Sequence, residues 1–164
     1  MLKLNDTVLY GATGVCTVSD IEEKKIGKLI KKYYVLKPVA NSSATIYLPI
    51  DNEELLAKVR SPLSKSEIEA LLLRLKSVDD IWIDDEEQRK LRFSEMILSK
   101  DRMDCLRVLK ALKSYQLKLI KQGKKFHISD DRILKEAERL IYDEFSFVLK
   151  IDRLKAEEFL LARI

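Results

Sequence analysis

The sequence is poor in the residues that build metal and redox sites. Its 164 residues include one histidine, two cysteines, three prolines and four glycines. Cys16 and Cys105 lie far apart in apolar patterns, which predicts buried thiols rather than a disulfide or a zinc site. His127 stands alone in a basic segment without HxxxH or CxxC spacing. We therefore expect no metal and no cofactor.

Long hydrophobic runs and converging catalytic groups are also lacking. The longest apolar run is Ala70-Leu71-Leu72-Leu73, and the opening MLKLNDTV has no signal-peptide core. These absences favour a cytoplasmic protein without a membrane partner. The acidic pairs, such as Asp84-Asp85, are sequence neighbours, which point about 100° apart on a helix. We expect neither an enzyme nor a small-molecule substrate.

The first fifty residues are rich in β-branched and aromatic residues in short runs, which predict strands. These runs are Thr7–Tyr10, Val15–Val18, Lys32–Leu36 and Ala44–Leu48. Gly11 and Gly14 fit a sharp bend between the first two strands, because glycine accepts a positive φ. Their segment does not fit a phosphate-binding loop, because it lacks the third glycine of a dinucleotide fingerprint and the Lys-Ser/Thr of a P-loop. The spacing predicts a small, curled antiparallel barrel.

From Ser64 onward the apolar period becomes helical. Ser64 and Glu67 form a capping box, and Asp101, Ser129 and Asp152 are candidate caps of later helices. The pattern predicts helices over 86–98, from 101 to about 121, after 129, and from 152 to 161. We expect an α+β protein, with a β domain over residues 1–55 and a compact all-helical domain over residues 63–164.

Positive charge is concentrated in one part of the helical half. Residues 100–125 hold nine basic residues against Asp101 and Asp104, although the whole chain carries only +4. Such a block favours a polyanion such as DNA, or else forms a solvated helix face. Its members are Lys100, Arg102, Arg107, Lys110, Lys113, Lys118, Lys121, Lys124 and Lys125.

Trp82 is the only tryptophan and stands between Ile81 and Ile83 in an acidic segment. One interpretation is a core anchor that closes the helical bundle, since tryptophan is mostly buried on average. The other is an apolar wedge against unstacked bases.

Several short motifs, taken in order, resemble the CarD/CdnL family of bacterial transcription regulators. The N-terminal ones are Asn5–Tyr10 followed by Gly14-Val15, Lys32–Leu36, and Ile46–Pro49. Their β module is also similar to the polymerase-interacting domain of the transcription-repair coupling factor. Downstream, Ser99-Lys100-Asp101 and the segment from Ser129 through Phe147 resemble the family's helical domain.

The resemblance implies a Tudor-like, five-stranded module that docks on the β subunit of RNA polymerase. It also implies a helical domain that contacts promoter DNA at the upstream edge of the transcription bubble and stabilises the open complex. The resemblance implies basic polymerase-contacting residues on the β module, and the corresponding positions are Lys24 and Tyr47, of which Lys24 keeps the charge and Tyr47 does not. Lys25 is taken with them. The predicted DNA-binding residues are Trp82, Arg89, Lys90, Arg92, Arg107, Lys110, Lys113 and Lys118.

The resemblance also implies a tryptophan and neighbouring arginines that act as a wedge in the DNA, and here the sequence departs from the family. The family's tryptophan position falls on Glu86 and its arginine pair on Gln88 and Arg89, while Trp82 lies four residues earlier. The run from Asp84 to Glu87 adds four negative charges, which oppose phosphate binding. Two hypotheses follow: a regulator that binds polymerase and promoter DNA, and a polymerase-binding adaptor that has lost DNA binding.

Overall fold

The computed structural model describes residues 1–99 and 101–164, which divide into two compact units, Met1–Leu63 and Ser64–Ile164. They are called the β unit and the helical unit below. No helix in the described ranges is both long and apolar enough to cross a membrane.

The β unit contains five antiparallel strands in the order β4-β3-β2-β1-β5. Their bounds are β1 Thr7–Tyr10, β2 Gly14–Ile26, β3 Leu29–Pro38, β4 Ile46–Pro49 and β5 Val59–Arg60. A 3₁₀ turn, Gly11–Thr13, joins β1 to β2, and Gly11 and Gly14 have positive φ values of 47° and 86°, as the bend requires. The strands of the predicted β module are therefore present, and β5 lies in the segment that the sequence left as a connection.

The predicted barrel is not closed, since β4 and β5 are the two edges of an open sheet. Both edge strands are short, with four and two residues, which leaves little backbone to pair. A short helix, α1 (Glu53–Leu56), joins them, and Leu55 and Leu56 pack against the core of the sheet. That core consists of Val8, Cys16, Val18, Tyr34, Leu36 and Leu48.

The described part of the helical unit contains five helices, each in a segment with helical apolar spacing. They are α2 Lys65–Lys76, α3 Glu86–Leu98, α4 Arg102–Lys121, α5 Ile128–Leu149 and α6 Arg153–Leu161. The α+β class is thus confirmed. The helices pack mainly through α4 on α5, α5 on α6, and α3 on both α4 and α5. Phe93, Leu109 and Phe145 are among their fully buried side chains.

Helix starts follow the capping chemistry of the sequence with one exception. Ser64 and Glu67 form both hydrogen bonds of the capping box, and the backbone N–H donor of Ser64 lowers the pKa of Glu67. Asp101 and Asp152 also cap their helices. The prediction for Ser129 is wrong, because α5 begins at Ile128 and leaves Ser129 inside its first turn.

Candidate functional sites

A β-bulge decides which face of the sheet carries Lys24. Val18 pairs with Leu36, but Asp20 already pairs with Val35, so Ser19 is the extra residue of β2. Because side chains alternate along a strand, this insertion exchanges the two faces beyond it. Lys24 therefore lies on the face opposite the buried Tyr34 and Leu36, which we call the outer face.

On the outer face, Lys24 meets Tyr47 of the edge strand β4. The Lys24 Nζ lies 3.1 Å from the centroid of the Tyr47 ring, in a cation–π contact. Tyr33 of β3 packs edge-on against Tyr47, with ring centroids 6.3 Å apart. Tyr47 remains 42% exposed, so the contact lies on an accessible surface. Such exposed cation–π contacts contribute about 0.5–1 kcal/mol to stability, which makes a purely structural role minor.

Lys25 does not join this pair. It lies opposite Ile30 in the β2–β3 hairpin, and it therefore faces away from Lys24. The tip of that hairpin extends beyond the pairing with β4 and exposes three apolar side chains, Ile26, Leu29 and Ile30. Lysine and apolar side chains are thus both exposed on this hairpin.

In the helical unit, Arg89 is a buried residue that joins neighbouring segments, not a surface cation. It is 5% exposed, and its Nε and Nη2 donate to the two carboxylate oxygens of Asp130 at 3.0 and 2.8 Å. Its Nη1 donates to the carbonyls of Ile83 and Asp84. The hydrogen bond to Asp130 raises the pKa of Arg89 against the opposing effect of burial. A direct phosphate contact does not fit this geometry, because α3, α5 and the loop before α3 already share the guanidinium.

Trp82 is anchored but not enclosed. Its ring lies 4.2 Å from the Tyr115 ring and 4.7 Å from the Arg89 guanidinium, measured to ring centroids. Its indole N–H donates to an Asp84 carboxylate oxygen at 3.0 Å. The side chain is nevertheless 37% exposed, which a core anchor would not be. Trp82 thus combines a fixed orientation with an accessible part.

Three of the predicted DNA-binding cations lie on α4 and contact other segments of the helical unit. Lys113 Nζ lies 2.5 Å from Glu138 and 3.1 Å from Glu157, and thereby joins α4 to α5 and α6. Burial opposes the Lys113 charge, but these hydrogen bonds outweigh it and raise its pKa. Lys110 pairs with Asp80 at 2.7 Å, and Arg107 donates to the Asp79 carbonyl at 3.2 Å.

The remaining predicted cations lie on the surface. Lys90 and Lys118 are exposed, and Arg92 makes an exposed ion pair with Glu95. Lys118 is not brought together with Lys113, which faces α5 and α6. Lys100 of the basic block lies outside the described residues.

A cleft of about 830 Å³ opens beside Trp82. The loop before α3 supplies one wall, α4 supplies Tyr115 and Lys118, and the connection between α4 and α5 supplies Lys124 and Lys125. Tyr115 also lies 6.4 Å from Phe126, measured between ring centroids, so aromatic rings continue along this side of the unit. Aromatic and basic residues of the helical unit therefore lie together in this cleft.

One cluster contains the residue types of a hydrolytic triad without its geometry. His127 Nδ1 lies 3.1 Å from a Glu86 oxygen and 3.0 Å from Ser129 Oγ. A triad needs the two ring nitrogens to face the nucleophile and the acid separately. Here the same nitrogen faces both, and Ser129 also donates to Glu86. Within the described residues, no cluster of histidine, cysteine or carboxylate side chains could hold a metal ion.

Sequence reasoning missed several residues that build these sites. The sequence pattern around Tyr33 indicates only a strand, although Tyr33 packs against Tyr47. Tyr115 and Asp130 lie far along the chain from Trp82 and Arg89, and no local pattern connects them. The apolar period of α4 could have indicated Tyr115, because it lies one turn before Leu119 on the same helix.

Comparison with protein-family models finds a match for the β unit. Residues 2–60 match the family model described as the CarD-like/TRCF RID domain. The β unit therefore matches a CarD-like/TRCF RID module. This family comprises non-catalytic protein-interaction domains, and the RID domain is an RNA polymerase-interacting module. The match ends before the helical unit, and a search of curated proteins found no significant match to the chain.

Proposed function

We propose that this protein is a non-enzymatic transcription regulator that binds RNA polymerase through the RID domain and contacts promoter DNA through the helical unit. In this proposal the polymerase partner is the β subunit, and the DNA contact stabilises the open complex. The observation that carries the proposal is the exposed Lys24–Tyr47 contact on a RID domain, beside the edge strand β4.

The polymerase contact is supported by the chemistry of the outer face. Tyrosine is enriched at protein interfaces because it combines a large apolar area with a polar tip. Tyr47 lies on the edge strand β4 and is 42% exposed, so a partner can reach its ring. The neighbouring lysine favours a partner surface with negative charge.

The DNA contact is supported by a smaller set of residues than the basic block suggested. Exposed cations that could contact DNA include Lys90, Arg92, Lys118, Lys124 and Lys125. Trp82 adds an anchored aromatic surface beside the last three of them. Arg89, Arg107, Lys110 and Lys113 are assigned to the framework that holds this surface.

The second candidate is a polymerase-binding adaptor without DNA binding. It is favoured by the engagement of Lys110 and Lys113 in ion pairs, which removes part of the expected positive surface. The acidic run before and within α3 favours the adaptor less strongly, because three of its residues have structural partners. Asp84 accepts from Trp82, Asp85 caps α3, and Glu86 lies against His127.

Two binding measurements on the full chain test the proposal. The first is capture of purified RNA polymerase by wild type, by the Lys24→Glu/Tyr47→Ala variant, and by Lys3→Glu as a charge-matched control in the same unit. We expect only the double variant to lose capture, and equal capture by all three proteins would refute the docking face. The second is affinity for promoter DNA over a range of salt concentrations. A steep decrease with salt supports DNA contact, and retained capture without DNA binding supports the adaptor.

A further inference from the structure

The Lys24 side chain reaches across β3 to the edge strand β4. Lys24 belongs to β2 and Tyr47 to β4, and β3 lies between these two strands. Because adjacent strands are about 4.8 Å apart, the two side chains together bridge roughly 10 Å. Their contact places the Lys24 Nζ 3.1 Å from the centroid of the Tyr47 ring. The lysine therefore lies in a defined direction across the outer face.

The charges around Lys24 do not explain this conformation. Lys31 lies directly opposite Lys24 in the β2–β3 ladder, and like charges in such a pair repel. Glu22 lies on the same face, opposite Tyr33, yet no ion pair of Lys24 is found among residues 1–99 and 101–164. The ring of Tyr47 is therefore the contact that orients the ammonium, and no carboxylate of the described residues neutralises its charge.

Tyr33 in turn orients the Tyr47 ring. The two rings pack edge to face, with an interplanar angle of 89° and centroids 6.3 Å apart, which is a preferred geometry for aromatic pairs. Tyr33 lies on β3, between the strands that carry the lysine and the ring. One residue from each of three neighbouring strands thus contributes to a single ordered arrangement.

An ordered lysine binds a partner at a lower entropic cost than a free one. Ordering a flexible side chain at an interface opposes binding, and this cost falls when the free protein already holds the side chain in place. The ammonium group carries three N–H donors. Donors directed away from the Tyr47 ring can bind a carboxylate while the cation–π contact persists.

We infer that Tyr33 and Tyr47 are positioning residues for Lys24 and hold its ammonium in the conformation that binds an anionic group of the polymerase. Lys24 supplies the charge, Tyr47 orients Lys24, and Tyr33 orients Tyr47. This role rests on the polymerase docking proposed above and assigns to Tyr33 a part in it.

A double-mutant cycle on capture of purified RNA polymerase tests this role in the full chain. Apparent affinities are measured for wild type, Lys24→Ala, Tyr47→Leu and the double variant. We expect Tyr47→Leu to weaken capture by about three- to tenfold when Lys24 is present, because the lysine must then be ordered on binding. In the Lys24→Ala background it should weaken capture by less than about twofold, because no ammonium remains to be oriented.

Tyr33 supplies a second, independent measurement. Tyr33→Leu should also weaken capture by about three- to tenfold, and Tyr33→Phe, which keeps the ring, should retain wild-type capture. Tyr10→Leu is the matched control, since Tyr10 is also a partly buried strand tyrosine but packs against the core of the sheet. It should leave capture unchanged. Denaturant unfolding of each variant confirms that it is folded.

The outcomes separate this role from the proposed function. Additive effects of Tyr47→Leu and Lys24→Ala, or wild-type capture by Tyr33→Leu, overturn the positioning role but leave the docking face in place. Equal losses in Tyr33→Leu and Tyr10→Leu also overturn it, because they would assign the loss to the stability of the β unit. If Lys24→Ala abolishes capture, the comparison of Tyr33→Leu with Tyr33→Phe decides. Capture that does not depend on Lys24 refutes both the docking face and the positioning role.

Discussion

The β unit and the helical unit use their cationic side chains differently. In the β unit, Lys24 lies on an accessible face against a half-exposed tyrosine. In the helical unit, Arg89, Arg102 and Lys113 bind carboxylates of other helices. A positive residue in the first unit is available to a partner, whereas many positive residues in the second unit hold the fold together. Charge counted along a sequence therefore overstates the charge that a helical bundle presents.

The Arg89–Asp130 pair gives the largest expected effect. Arg89→Ala leaves Asp130, which is 0% exposed, without its partner, and should lower the free energy of unfolding by about 3–5 kcal/mol. Denaturant unfolding followed by Trp82 fluorescence and circular dichroism measures this loss. Arg92→Ala, on the exposed face of the same helix, is the control and should change stability by about 0.5 kcal/mol or less. Similar values for the two variants would contradict the structural role of Arg89.

Lys113 and Lys118 lie on the same helix, α4, but should have different roles. Lys113→Met should destabilise the protein by about 1.5–3 kcal/mol, since its hydrogen bonds to Glu138 and Glu157 are lost and both carboxylates stay. Lys118→Met should change stability by about 0.5 kcal/mol or less and should weaken nucleic-acid binding instead. Unfolding curves and oligonucleotide anisotropy are measured on both variants. A larger binding defect in the folded Lys113 variant than in the Lys118 variant would reverse the assignment.

Cys16 tests the β unit through its pH dependence. Burial raises the pKa of this thiol from 9.0 to about 11. The native state therefore retains the proton after the unfolded chain has lost it, so stability is full below pH 9 and declines as the pH rises towards 11. Relative to Cys16→Ala, the wild type should lose about 1 kcal/mol between pH 8 and pH 10. Parallel pH profiles of the two proteins would show that Cys16 does not titrate in this range.

Lys24 gives the smallest expected change in stability. Lys24→Ala removes an exposed cation–π contact and should cost about 0.5–1 kcal/mol or less, as measured by denaturant unfolding. Its effect on polymerase binding should exceed its effect on folding. A stability loss as large as that of a core variant such as Leu36→Ala, about 2–5 kcal/mol, would assign the contact to the fold.

Much of the fold could be predicted from local sequence. The four strand runs and the helix caps Ser64, Asp101 and Asp152 depend on residues within one turn or one strand, and the structure contains them. The open sheet could not be predicted from such patterns, because it depends on how short β4 and β5 are and on α1 between them.

The sites depended on contacts between distant residues, and the sequence predicted them less completely. Lys24 and Tyr47 were named from a family resemblance, yet their contact requires the bulge at Ser19, which no turn residue marks. From the sequence alone, Arg89 is interpreted as a surface cation, because its partner Asp130 lies forty-one residues away along the chain. Lys113 likewise belongs to a basic stripe in the sequence, but in the structure α5 and α6 place Glu138 and Glu157 beside it.

The central proposal is that the β unit binds RNA polymerase and the helical unit contacts DNA. The lifetime of promoter open complexes with purified RNA polymerase tests it most directly. We expect that wild type prolongs the lifetime and that Lys24→Glu/Tyr47→Ala loses both polymerase capture and this effect. Lys118→Gln/Lys124→Gln/Lys125→Gln should keep capture and lose the effect on lifetime. Loss of capture in the lysine variant, or a full effect of the Lys24/Tyr47 variant on lifetime, would contradict the account.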